Sequence, residues 1–306
     1  ALDAIQEIQV VVAPYDVKLG NFTGGGINAV TRSGTNTFSG SAYGFWRNQN
    51  TIGKSVTEPR VKAAEFSNYF TGLRVGGPLI KDKLFFFVNG EVARRGEPVQ
   101  QVPGTSASLF SVAELNQVRD LLQTRFGYDA GGFGEIVRRT NSDKLFARLD
   151  WNISDRHQLT LRHNFVDAYD DNLTRSSVNL RLANNGYVFN STTNSTVLEL
   201  NSRLGAFSNN LILTASRIRD NREPEGALFP SLEIRDGSRT ILAGSERSSV
   251  YNELDQDVYE LTDNLTRTFG DHTFTVGTHN EFFSFRNLFI NNGYGRFEFG
   301  SLAAPT

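Results

Sequence analysis

Residues 142–154 read SDKLFARLDWNIS. Leu145, Ala147, Leu149, Trp151 and Ile153 alternate with Lys144, Arg148, Asp150 and Asn152, and Phe146 is the one apolar residue on the polar side. Successive side chains of a strand point to opposite faces, so this period of two predicts a β-strand with one apolar and one polar face. After the turn SDRH (154–157), Leu159, Leu161 and Phe165 again oppose Gln158, Thr160, Arg162 and Asn164. The two runs predict a hairpin.

The same pattern flanks three more tight links, PLIKDK (78–83), FSNN (207–210) and FGDH (269–272). With the segment at 37–47, nine strands are predicted. The connections between hairpins, near 47–65, 96–140, 168–191, 221–254 and 288–306, are long, polar and rich in Gly, Asn, Ser and Arg. Short and long links thus alternate. A soluble sandwich has no reason to sort its loops by length, whereas an outer-membrane barrel has short periplasmic turns and long extracellular loops. The expected fold is all-β: an antiparallel transmembrane β-barrel, of which these nine strands are part.

Composition agrees with that reading and narrows the chemistry. The 306 residues carry 31 Lys+Arg against 33 Asp+Glu, so no global field points to nucleic acid. Cysteine is absent, which removes disulfides and thiolate metal sites. There is no basic-then-apolar leader, no methionine and no apolar run long enough for a spanning helix. A mean hydropathy of −0.34 suits a soluble protein, but it also suits a barrel that alternates lipid-facing and lumen-facing residues.

Candidate catalytic groups do not assemble in the sequence. The histidines at 157, 163, 272 and 279 lack metal-ligand spacing, and no metal or other cofactor is expected. Arg74, Arg148, Asp150, Arg162, Glu199, Arg203, Glu260 and Glu281 fall on the polar faces of strands, which is the composition of a mixed-charge, lumen-facing wall. No enzymatic activity is expected. The N-x-S/T sequons, among them Asn152, Asn190, Asn194 and Asn264, fall partly in strands and read as chance in an Asn- and Ser-rich chain. One long connection carries a helix signature over 111–126. Ser111 and Glu114 have capping-box spacing, Leu115, Val118, Leu122 and Phe126 share a face, and Gly127 stands at the C-terminal cap. Burial of that stripe against neighbouring loop residues is its expected role.

The stretch GGGINAVTRSGT (24–35) lacks the Lys-Ser/Thr, the spacing and the following helix of a phosphate-binding loop. Glycines at a bend between strands are the better reading. Residues 5–45, with Gly24, Gly25, Gly26, Ile27, Asn28 and Thr31 at their centre, resemble the end of the plug domain of TonB-dependent outer-membrane receptors. In that family a strand of this kind leads through a short linker, here RSGTN (32–36), into the first barrel strand. APYDVKLGNFTGGGINAVTRSGTN (13–36) and RVGGPLIKDKLFFFVNGE (74–91) look most like the Oar-like branch.

The resemblance implies that residues 1–35 are the C-terminal part of a plug and 36–306 the N-terminal part of a barrel needing about 22 strands to close. The chain would then be a piece of a receptor in the bacterial outer membrane. Its partners would be outer-membrane lipid, an extracellular solute of unknown identity and a TonB complex engaged through a TonB box absent from this piece. The function implied is solute import by energy-coupled plug movement. The alternatives are an Oar-like surface protein for adhesion or protein export, and a soluble β-rich binding module. No ligand residue is carried over, because the ligand-binding loops of the family vary.

Overall fold

A computed structural model describes residues 2–12 and 25–302; Gly24, with the rest of 13–24, and 303–306 lie outside the described residues. β1 (Ile5–Val12) and β2 (Gly25–Thr31) pair antiparallel as a separate two-stranded sheet. Nine strands then form one antiparallel sheet: β3 (Ser39–Asn48), β4 (Ser67–Ile80), β5 (Leu84–Pro98), β6 (Val137–Ser154), β7 (His157–Asn172), β9 (Tyr187–Leu204), β10 (Phe207–Pro224), β13 (Asn252–Phe269) and β14 (His272–Phe289). Each pairs with the preceding member of the set, so tight turns gather at one end of the sheet and long connections at the other.

The residues between the strands explain the turns. Asp82 (φ 62°), Gly205 (φ 65°) and Gly270 (φ 54°) adopt the left-handed conformation that tight hairpins need. One predicted turn moves: FSNN (207–210) is not a link but the start of β10, and the chain reverses at Gly205–Ala206. Gly205 takes the strained position at no steric cost, which leaves Phe207 free to pair with Leu204 and lie 4.8 Å from the Arg267 guanidinium.

Strands run further into the polar segments than apolar alternation suggests. Beyond Leu145 the outer face of β6 turns polar, yet the ladder continues to Val137. There it is reinforced by cross-strand pairs such as Arg94 with Asp143, at 2.5 and 2.8 Å.

Burial is inverted relative to a protein surrounded by water. Leu145, Leu149, Trp151 and Ile153 are 40–44% exposed, while Asp150 and Glu91 on the opposite face are 4% and 3% exposed. Phe146, the exception in the alternation, sits on the polar face with Phe87 (ring centroids 6.1 Å apart) and Ala4 in a small apolar island.

The long connections build a second body. It holds α1 (Val112–Phe126), β8 (Asn179–Arg181), β11 (Ser231–Asp236), β12 (Arg239–Ala243) and β15 (Arg296–Phe299). The strands come from three different segments and form one sheet in the order β15-β11-β12-β8, with parallel outer pairs. Leu115, Val118 and Leu122 of α1 pack with Leu180, Leu182, Ile241 and Ala243 in the largest apolar core of the described residues. The predicted capping box forms in full, and Gly127 closes the helix at φ 65°.

Candidate functional site: the polar face and its rim

Directly paired residues of a sheet share a face, so the register groups the polar side chains. One row crosses the sheet as Phe87, Arg148, Arg162, Val197, Thr214, Glu260 and Glu281. The next is Phe85, Asp150, Thr160, Glu199, Ile212, Thr262 and His279. Arg74 stands opposite Asn89 on the same face, and Arg203 follows Glu199 two pairs nearer the tight turns. The eight polar-face residues singled out in the sequence therefore lie on one side of one sheet.

Bonding among them is uneven. Arg148 donates Nε and Nη2 to both oxygens of Asp150, each at 2.8 Å, and Thr160 Oγ1 donates to Asp150 Oδ1 at 2.9 Å. Arg162 meets Glu199 at 3.5 Å, and Asn201 and Asn210 donate to the same carboxylate at 3.1 Å each. A second centre, which alternation did not reveal, joins three strands. Lys144 Nζ donates to Glu91 Oε1 at 2.7 Å, and the Tyr43 hydroxyl donates to Glu91 Oε2 at 3.2 Å. Only the register brings Tyr43, Glu91 and Lys144 together.

Residues at the base of the small β1–β2 sheet dock on this face. Arg148 Nη1 donates to Thr31 O (3.0 Å) and Thr31 Oγ1 (2.9 Å). Asp3 lies in ion-pair contact with Arg74 Nε at 2.9 Å and accepts from Ser41 Oγ at 2.7 Å, and Ser41 Oγ in turn accepts from the Arg74 Nε–H at 2.8 Å. The Arg32 N–H closes the base of the small sheet on Ala4 O at 2.9 Å. Of the plug-like motif, Ile27 and Asn28 lie in β2, with Ile27 exposed and the Asn28 amide 3.4 Å from Gln9. Gly26 has open space where a Cβ would stand, while a Cβ at Gly25 would come within 3.1 Å of Val11 O. Gly25 and Gly26 thus lie within β2 rather than at a bend, and the tightest approach of the segment falls at Gly34 in the linker, where a Cβ would meet Phe86 O at 2.3 Å.

At the end with the long connections the polar face opens into a cavity of about 640 Å³, lined among others by Arg47, Phe66, Glu97, Arg138 and Arg175. The strand register puts Arg47 and Arg138 on the polar face, Arg138 in a part of β6 that the sequence reading assigns to the 96–140 connection; nothing in the sequence signals that Arg175, in the 173–186 connection, reaches the same space. Above it stands the body built by α1 and its sheet. Arg239 of β12 ties that body together: it pairs with Glu114 at 3.1 Å, bonds Asp236, donates to Leu109 O at 2.9 Å and lies 5.6 Å from the Phe110 ring. Burial works against ionisation of Glu114, but the Ser111 N–H and hydroxyl and the Arg239 guanidinium outweigh it and hold the carboxyl below its usual range. Burial, with a smaller contribution from Asp129, pushes the Tyr128 phenol up to about 12. Among the described residues no cluster of His, Asp and Glu has the arrangement of a metal site.

Residues 30–121 and 133–306 match the family model described as outer membrane beta barrel domain. The TonB-dependent transporter Oar of Myxococcus xanthus is 34% identical over 95 residues, which is 28% of this chain and 9% of that protein. The outer membrane transporter YddB from Escherichia coli superposes with a TM-score of 0.60 at 13% identity, over 92% of this chain and 35% of that one. A mutant of the ferric enterobactin receptor from Pseudomonas aeruginosa does so with a TM-score of 0.54 at 15% identity, over 90% of this chain and 35% of that one. At these identities the superpositions speak to fold alone. The chain spans about a third of the length of the solved structures and a tenth of the curated relative.

Proposed function

Because the chain belongs to the outer membrane beta barrel domain family, we propose that it is the wall, with the end of the plug, of a TonB-dependent transporter that draws a solute across the bacterial outer membrane. The relatives are transporters and receptors rather than enzymes. Outer-membrane location removes the soluble-module alternative, and the exposed apolar face of β6 is the surface that lipid covers.

The observation that carries the reading is the docking of Asp3, Ala4 and Thr31 on the inner face. An ion pair and a few hydrogen bonds hold Asp3 and Thr31, with only the Ala4 island apolar. Such contacts exchange readily for water, because a protein hydrogen bond is nearly replaced by one to solvent. A segment held this way stays seated at rest and comes away when pulled through a TonB complex. Residues 1–35 are in this reading the last part of the plug, and Arg74, Arg148, Asp150, Arg162, Glu199, Arg203, Glu260 and Glu281 line the lumen.

Tethering tests it. Asp3→Cys with Ser41→Cys, at side chains 2.7 Å apart, locks the segment to the wall of the full-length receptor by a disulfide. Solutes whose depletion from the medium requires the receptor should stop entering the oxidised variant and enter again after reduction. Unchanged uptake with the disulfide formed would end the plug-movement reading. The second reading, an Oar-like platform for adhesion or export, draws on the folded body above the rim. It is favoured if deletion of the receptor changes attachment or protein release and no solute uptake.

A further inference from the structure

The rim cavity is lined by three arginines, Arg47, Arg138 and Arg175, and among the described residues none of them has a carboxylate within ion-pairing distance. Glu97, the one carboxylate of the lining, is already held by Arg95 at 2.5 Å. Arg47 lies 5.5 Å from the centroid of the Phe66 ring, which holds its guanidinium over the cavity wall without neutralising it.

Arg175 is the most unusual of the three. Its Nε donates to Arg181 O at 3.0 Å, and its Nη1 donates to Phe133 O and Gly134 O at 2.9 Å each. Nη2 is buried with no protein partner. Burial without a counter-charge lowers its pKa to about 10. It also borders a second cavity of about 460 Å³ lined by Arg181 and Arg247 together with Glu233 and Glu246. On the same polar face Arg148 meets Asp150 and Arg74 meets Asp3. A fixed, partly desolvated guanidinium facing a cavity beside two more unpaired cations is an arrangement that a bound anion completes.

We infer that the rim cavity binds a solute carrying two or more carboxylate or phosphate groups, with Arg138 and Arg47 engaging it by paired N–H donors and Arg175 as a positively charged floor. Asn68, paired with Arg47 across the strands, supplies a neutral hydrogen-bonding group on the same wall. The inference deepens the transport reading and rests on it, since the cavity opens where a solute would enter the lumen.

The test is calorimetric titration of detergent-purified full-length receptor with citrate, with inorganic pyrophosphate and with the neutral trimethyl ester of citrate. One or both anions should bind, with affinity falling as salt is raised, and the ester should not. Citrate alone identifies a carboxylate solute and pyrophosphate alone a phosphorylated one. Arg138→Gln should weaken binding roughly tenfold, and the double variant with Arg47→Gln further. Glu97→Gln, which removes the carboxylate without touching the arginines, should tighten it, and Arg286→Gln, in an exposed pair with Glu253, should leave it unchanged. Equal binding of anions and ester, no binding of any of them, or unchanged affinity in the folded double variant would overturn the site. If the double variant does not fold, failure of Glu97→Gln to tighten binding overturns it equally. No energy coupling enters this measurement, so anion binding without uptake would sink the transport reading and leave the site standing. Uptake with no arginine dependence would do the reverse.

Discussion

At the scale of single residues, the neighbours Arg148 and Leu149 carry the two faces of the wall. Leu149→Arg places a charge among lipid tails and should cost about 2–4 kcal/mol near the bilayer midplane. For Arg148→Leu, alternation alone suggests the loss of a screened pair, about 1 kcal/mol. The geometry says otherwise. Asp150 is 4% exposed and its two oxygens receive Arg148 and Thr160, so removing the arginine strands a buried carboxylate at about 3 kcal/mol or more. Arg148→Leu combined with Asp150→Leu should therefore cost less than Arg148→Leu alone. Urea-unfolding midpoints of the full-length receptor in phospholipid vesicles measure all three, and a double variant less stable than the single would contradict the account.

At the scale of elements, α1 forms where its capping box and Gly127 place it, with Leu115, Val118 and Leu122 buried as expected and Phe126, the last of the stripe, exposed, and its stability has a pH dependence that follows from Glu114. The carboxyl is held below its unfolded value of about 4.3 by the Ser111 groups and Arg239 against the opposing effect of burial. A depressed folded pKa stabilises fully above the unfolded value and loses that contribution as pH falls through the folded one. Hydrogen exchange of residues 115–126, corrected for intrinsic rates, should stay equally protected from pH 7 to pH 5 and weaken at more acidic pH. Ser111→Ala should cost about 1 kcal/mol of that protection at neutral pH. A loss confined to alkaline pH would refute the role given to Glu114.

At the scale of the whole molecule, labelling separates a membrane wall from a packed sandwich. A cysteine replacing Leu149 should react with a lipid-restricted probe in membranes, and one replacing Arg148 should react only with a small aqueous reagent. If the thiol at 149 is closed to both, its face packs on protein and β6 is not a wall strand. The exposed apolar side chains of β6 and the buried charges opposite them make the first outcome the expected one.

Period-two alternation, turn residues and link lengths were local signals, and they determined the nine strands, their order and the two faces of the wall, because neighbours along an antiparallel meander are neighbours in space. The capping box of α1 was local for the same reason, its bonds closing within four residues. Tertiary structure alone decided which polar groups meet. Tyr43, Glu91 and Lys144 come from three strands, and Arg175 reaches the cavity of Arg47 and Arg138 from a connection with no periodic pattern. It also decided that separate connections share one core. β8, β12, β11 and β15 are too short to carry a signal of their own, and their parallel pairings join residues more than 50 positions apart. Such contacts depend on where the wall holds the ends of each connection, and a single connection read by itself contains nothing that records those positions.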